Sequence, residues 1–513
     1  MKFNRIIVIV TDSVGAGDAP DAEKFGDKGA DTYGHIDANV PLKVPNLRRL
    51  GLGRVAHIHE EPADVVGSYG LMQEISAGKD TTSGHWEFMG NIVETPFPTF
   101  PHAFPALLKT GGRDTGWDIL LALPSHTRCY DAADEADFMV DFAALPVGDG
   151  HTERVLPFTG GWFFYLGYEA LMPCEPSVPK ALPDAFPLAA LMRIPAAILV
   201  NRATQTATLV AEQPAQLAAL QGYLAAPLAW QPQPLAVATL REDPPNDFTA
   251  AAERIKRYIY EGDVFQVNLS RQWHVTLRTP PAPADVFAAL HHANPAPFSA
   301  LVQLGAASIV SSSPERLVRV EAGWADTRPI AGTHPRSPDP AEDAALRQRL
   351  IASAKERAEH IMLIDLERND LGRIAESGTV EVNELMTVAS YTYVHHIESN
   401  VRCIKRRKVS PAQVFRALFP GGTITGCPKV RTLQIIRELE TAPRRAYTGS
   451  VGYLNHDGTL DSNILIRTFM LEGDSLRFRA GAGIVADSDP SRELQETRHK
   501  ARGLLRALGI DTP

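Results

Sequence analysis

The sequence predicts an α+β protein: a predominantly antiparallel sheet combined with amphipathic helices and preceded by a separate, incomplete α/β fragment. Three observations carry this. Residues 117–210 alternate apolar runs (WDILLAL, GGWFFYLGYEA, AAILVN, TATLVAE) with turn residues, the pattern of strands joined by short connections. FTAAAERIKRYIYEGD reads as an amphipathic helix ending at a Gly-Asp stop, and KERAEHIMLIDLERND and ELQETRHKARG also read as helices. The first hundred residues differ in character, with an apolar strand, RIIVIV, running into a loop rich in Asp and Gly.

Taken in chain order, MKFNRIIVIVTDS has only a short apolar run before Thr11 and Asp12, so it is a buried strand and not a signal peptide. PFPTFPHAFP at 96–105 cannot be regular helix or central strand and marks a seam. The Pro- and Ala-rich stretch 213–247 reads as a helix and a linker. VFQVNLSRQWHVTL, after the FTAAAERI helix, is a strand with polar residues spaced along it. The resulting partition is 1–97, 98–246 and 247–510, and no repeat of solenoid period is present.

Composition is that of a soluble globular chain, long enough at 513 residues for more than one domain. A formal net charge of −9 argues against nucleic acid or an anionic membrane as partner, while leaving room for a local basic pocket. Cys129, Cys174, Cys403 and Cys427 are scattered without metal-ligand spacing, which points to a reducing cytoplasm. No apolar stretch approaches the length of a bilayer span.

Two helical stretches more than a hundred residues apart each place two glutamates three residues apart: Glu356 with Glu359, and Glu493 with Glu496. Such spacing puts both carboxylates of a pair on one helical face. If the helices approach, the four carboxylates suit a shared hard divalent cation such as Mg²⁺, which prefers oxygen ligands and bridges protein carboxylates to anionic substrates. Without the cation they would raise one another's pKa values, linking metal binding to pH. Lys500, one turn beyond Glu496, is placed to meet a substrate's negative charge. Gly-rich segments such as PGGTITG and GAGIV let backbone amides approach an anion, and Lys429, Arg467 and Lys500 complement carboxylates.

The ordered set SSSPERLV, TRPIAGTHPR, SYTYVHHIES, FPGGTITGCPKVRTLQII, TGSVGYL, SNILIRTF and AGAGIVADSDP resembles the chorismate-utilising enzymes, in particular the component I subunits of aminodeoxychorismate synthase and anthranilate synthase. The resemblance runs from about residue 101 to 510. It implies two packed antiparallel sheets with helices outside and the site between them. It also implies Mg²⁺ held directly by Glu359 and Glu496, with Glu356 and Glu493 acting directly or through water. Arg467, Lys500 and the amides around Gly483 would clamp the substrate carboxylates. His396 and Glu315 would lie beside the ring and the departing group, with Glu315, His396 and Lys500 as catalytic residues. Gln266, Ala331, Gly332, Thr333, Thr425 and Lys429 would complete the substrate pocket.

In the isochorismate and salicylate synthases of this family a water-activating lysine stands at the position matching Gln266. Glutamine cannot be that base, so ammonia is the expected nucleophile. QVNLS and PGGTITG resemble aminodeoxychorismate synthase, whereas PIAGT, the wording of anthranilate synthases, places Ala331 where many aminodeoxychorismate synthases carry a nucleophilic lysine. The expected reaction is amination of chorismate to 4-amino-4-deoxychorismate, with ortho amination to anthranilate as the alternative. No cysteine lies in a Gly-x-Cys-x-Gly elbow, so a separate glutamine amidotransferase subunit is expected to supply the ammonia. Residues 1–97 resemble part of phosphopentomutase, which implies a vestigial half-site with Asp12 as a metal ligand and Thr81 as the phosphorylated nucleophile. The remaining ligands of that site are missing, so phosphopentomutase activity is not expected, and a further alternative is an impaired fusion chain that retains only partner binding.

Overall fold

The computed structural model describes residues 104–510 apart from 112–114, 132–133, 172–174, 176, 180–183, 226–230 and 391–393. Before them it describes 32–40 and positions 43, 44, 47 and 52. The chain divides into two compact units, Met1–Thr99 and Phe100–Pro513. In the first, the helix Thr32–Asn39 is the described element. The expected RIIVIV strand, Asp12, Thr81 and the first part of the proline-rich seam lie outside the described residues.

The second unit is built on two sheets in which every described strand pair is antiparallel. One has eleven strands among the described residues, in the order Gly426–Cys427, Gln266–Leu277, Ser475–Ile484, Thr468–Glu472, Ala307–Ser313, Phe298–Leu304, Ala106–Thr110, Trp117–Ala122, Ala196–Asn201 and Thr206–Ala211, with Val237–Glu242 also paired to Gln266–Leu277. The other has ten, in the order Ile330–Pro335, Val394–Ile404, Trp324–Thr327, Arg316–Glu321, Leu460–Asn463, Ser450–Asn455, Gly161–Leu166, Ala189–Ile194 and His126–Tyr130, with Glu381–Ser390 paired to Val394–Ile404.

Strand period explains how the core is divided. In GWFFYL all six residues are buried, because the strand is covered on both faces. Phe163 and Tyr165 pack with Leu108, Ile119, Leu121, Val302 and Ile309 of the other sheet, while Trp162, Phe164 and Leu166 point the opposite way, into a cluster with Phe142 and Phe415. A fully buried Phe stabilises by roughly 1.5–3 kcal/mol, so this double layer is a large share of what holds the sheets. Helices Pro283–Ala293 and Pro490–Ala507 cover the far face of the larger sheet, where Val286, Leu290, Ala501, Leu504 and Leu505 meet Trp273, Val310, Phe469 and Phe478.

The chain changes sheets twice at one place. Strand Ala307–Ser313 belongs to the larger sheet and Arg316–Glu321 to the smaller, with Pro314 and Glu315 between them. Strand Leu460–Asn463 belongs to the smaller sheet and Thr468–Glu472 to the larger, with residues 464–467 between them. The crossovers are bound together: Ile464 N donates to Glu315 O (3.0 Å), Ser313 Oγ to Ile464 O (2.5 Å) and Ser312 N to Arg467 O (3.1 Å).

One reading from the sequence changes. Part of the expected linker is the strand Val237–Glu242, whose partner lies beyond the intervening helix Pro245–Tyr260. Both sheets take strands from either side of the 246/247 division, within a unit continuous from Phe100. Among the described residues no helix is long and apolar enough to cross a membrane.

Candidate active site

Several of the expected site residues lie next to one another around the glutamate pairs and the crossovers. Helix Ala354–Gly372 begins at Ser353, whose hydroxyl accepts from Glu356 N, and helix Pro490–Ala507 begins at Asp489, whose carboxylate accepts from Arg492 N. Each glutamate pair therefore lies in the first two turns of a capped helix. The pairs are close enough to act on one another: the Glu359 carboxyl is raised above its ordinary value by burial first, then by Glu356, Glu496 and Glu493, with Lys355 opposing. Burial also raises Glu493, whose Oε1 accepts from Ser488 Oγ at 2.7 Å. For Glu496 burial is outweighed by Lys500, 2.7 Å away, which holds it below the ordinary carboxylate range. Lys355 reaches Glu359 at 3.7 Å.

Gly332, on strand Ile330–Pro335, makes the room for Glu356. Its φ is +65°, and a Cβ there would come within 2.9 Å of Glu356 Oε2. Its carbonyl lies 3.2 Å from His396 Nδ1, on the adjoining strand, where Thr333 is the register partner of His396 and Ala331 that of Ile397. His396 is buried, and its pKa is pushed down to about 3 by burial and then by Arg467, with Lys500 adding to the effect. The imidazole is therefore neutral at ordinary pH. Arg467 has φ +52°, a left-handed conformation uncommon for a residue with a side chain, and its crossover is pinned by the Ser312 hydrogen bond.

Glu315, on the other crossover, is buried, and its carboxyl is pushed up to about 7. Burial is the main cause and the charge of Glu398 adds to it; the Thr423 hydroxyl, which donates to Glu315 Oε1 at 2.7 Å, and Arg467 oppose it. From the larger sheet, Gln266 and Asn268 face the glycines of strand Ser475–Ile484; a Cβ on Gly483 would overlap Gln266 Nε2. Gln266 Oε1 and Asn268 Oδ1 are buried and find no hydrogen-bond partner among the described residues.

Two of the expected substrate residues have partners within the protein frame. Lys429 is paired with buried Asp370 and also donates to Leu418 O. Thr425 is fully buried, its hydroxyl donating to Gly421 O at 2.9 Å and its carbonyl accepting from Asn268 N at 2.7 Å, so it fixes the glycine-rich loop. Thr423 and Lys355 did not stand out in the sequence, although both lie inside the segments GTITG and KERAE that did.

A model of the chorismate binding enzymes matches residues 113–506. The chain belongs to the chorismate-binding enzyme family. A Synechocystis protein described as anthranilate synthase component I-like is 40% identical over 87% of this chain and 95% of its own length. Aminodeoxychorismate synthase component 1 of Bacillus subtilis is 46% identical over 51% of this chain and 56% of its own length. The crystal structure of anthranilate synthase component I from Streptococcus pneumoniae superposes with a TM-score of 0.67 at 27% identity, covering 85% of this chain and 99% of that one.

In this chorismate-binding fold no three His, Cys, Asp or Glu side chains among the described residues make a group that could by itself hold a metal ion. Mg²⁺, which keeps several of its waters and takes one or two protein carboxylates together with substrate oxygens, would need substrate oxygens to complete its shell beside the glutamate pairs.

Proposed function

We propose that this chain aminates chorismate to 4-amino-4-deoxychorismate with Mg²⁺ as cofactor and ammonia from a separate glutamine amidotransferase, on the route to p-aminobenzoate and folate. The observation that supports amination over water addition is Gln266: a buried amide without a basic nitrogen stands where, by the family resemblance, isochorismate and salicylate synthases carry a water-activating lysine. Its unpartnered oxygen can accept from an N–H of ammonia but cannot deprotonate water.

Bound Mg²⁺ would neutralise substrate carboxylate charge between the glutamate pairs. The rest is the work of the chain. Arg467 and Lys500 hold the substrate carboxylates, with Gly483 leaving the backbone open to approach. Glu315, with its pKa about 7, donates a proton to the departing allylic hydroxyl, which leaves as water while the nitrogen of ammonia bonds to the ring. The proton that nitrogen must shed goes to a second ammonia molecule or to solvent. Thr423 and neutral His396 fix the orientation of acid and ring.

Ala331 and the near full-length match to the Synechocystis protein favour a second reading, ortho amination to anthranilate. Purified protein with chorismate, Mg²⁺ and ammonium salt, its products resolved by chromatography, separates the two. Aminodeoxychorismate is expected; anthranilate as the main product overturns the para assignment, and no Mg²⁺-dependent loss of chorismate favours an impaired fusion.

A further inference from the structure

Helix Ala354–Gly372 carries more than the cation pair at its start. Eight residues beyond Glu359, about 12 Å along the axis at 1.5 Å per residue, it presents Glu367, buried at 3% exposure among Leu363, Ile364 and Leu371. Buried glutamates without a task are costly. Glu367 Oε1 accepts from Gly422 N at 3.3 Å, and the 3₁₀ turn Gly422–Ile424 lies directly on the helix: a Cβ on Gly422 would meet Leu366 Cδ2 at 2.6 Å and Glu367 Oε1 at 3.0 Å. The next residue of that turn is Thr423, the donor to Glu315. On its other side Gly421 abuts Ile464, the residue whose N–H binds the Glu315 carbonyl. Glu367 and Glu315 are thus two buried carboxyls that accept from neighbouring residues of one backbone turn. Burial, with Asp370 and Glu315 adding, pushes Glu367 up to about 8, against Lys429 and the Gly422 N–H.

We propose that Glu367 is a positioning residue for the amination: by seating the Gly422–Ile424 turn on the helix it aims the Thr423 hydroxyl at Glu315 and so holds the acid against the substrate. The proposal rests on Glu315 being the acid and is indifferent to which amine is formed. It also ties the helix that carries Glu356 and Glu359 to the group that protonates the leaving oxygen.

The test compares Glu367→Leu, which removes the acceptor for Gly422 N, with Glu367→Gln, which keeps it, by following Mg²⁺- and ammonium-dependent loss of chorismate. Glu367→Leu is expected to lower kcat at least about tenfold with KM for chorismate within twofold, and Glu367→Gln to restore most of kcat. Thr423→Val should show the same split. The double variant Glu367→Leu/Thr423→Val should be little worse than either single one, since both act through one contact. If Glu367→Leu fails to fold, Thr423→Val and Glu367→Gln decide: Thr423→Val with unchanged kcat, or Glu367→Gln losing tenfold, overturns the proposal. In a folded Glu367→Leu, kcat within twofold of the parent overturns it too. Glu315→Gln run alongside separates the causes. Full activity there removes the acid reading and this inference together, whereas loss there with intact Glu367→Leu removes this inference alone.

Discussion

Glu315 shows how one side chain acquires a function from its surroundings. An exposed glutamate is ionised at neutral pH; here burial and the neighbouring Glu398 carry it up to about 7, so it is an acid below that pH and an anion above it. If its protonated form is needed, kcat should fall as pH rises through about 7, and Glu315→Gln should cost about 10²–10⁴-fold; an initial-rate pH profile checks the first and its loss in the variant the second. Lys429 is a different case, a lysine ion-paired with the buried Asp370. Lys429→Met should leave KM for chorismate unchanged yet lower unfolding stability by about 3–5 kcal/mol, because it strands a buried carboxylate, and denaturant titration beside initial-rate kinetics reads both quantities. The glutamate pairs and Arg467 stood out by residue type and local spacing, and His396 only by the resemblance of the motif around it. The fate of Lys429 was not legible in the sequence, because its partner stands 59 positions earlier and only folding brings the two together.

Among the elements, helices with strong local signals were readable and strands with distant partners were not. FTAAAERIKRYIYEGD gives the helix Pro245–Tyr260, with Phe248, Ala252, Ile255 and Tyr258 as its buried stripe, although the helix starts three residues before the apolar pattern does. Val237–Glu242 was missed because ATLRE after a proline-rich run has little to distinguish it; its strand character comes from pairing with Gln266–Leu277. The turn at Gly332 makes a prediction at this scale. Gly332→Ala places a Cβ at positive φ and against Glu356, so it should cost about 1–2 kcal/mol in backbone strain and weaken the Mg²⁺ dependence of turnover. A thermal melt and a Mg²⁺ titration of the initial rate check both effects, and an unchanged titration would separate Glu356 from the cation.

As a whole molecule, the chain has the fold of its family but no Gly-x-Cys-x-Gly elbow for releasing ammonia from glutamine. Glutamine alone should therefore support no turnover, ammonium salt should support it with a KM for total ammonium that falls as pH rises and free ammonia accumulates, and Cys427→Ser should alter neither result; product formation with each nitrogen source decides. The two-sheet architecture followed from alternating strand patterns and the motif order. The sheet order could not, since it depends on which distant strands pair.

The double crossover gives the molecule a division of labour. Glu315 and Arg467 sit where the chain passes between the layers, laced by Ser312, Ser313 and Ile464, so neither can shift unless both layers shift with it. Gln266 and Ala331 lie at the starts of strands, outside both crossovers. A scaffold of this kind can be retuned toward another nucleophile or another ring carbon at strand starts while its crossovers stay in register, and Ala331→Lys is the smallest such edit open to this chain.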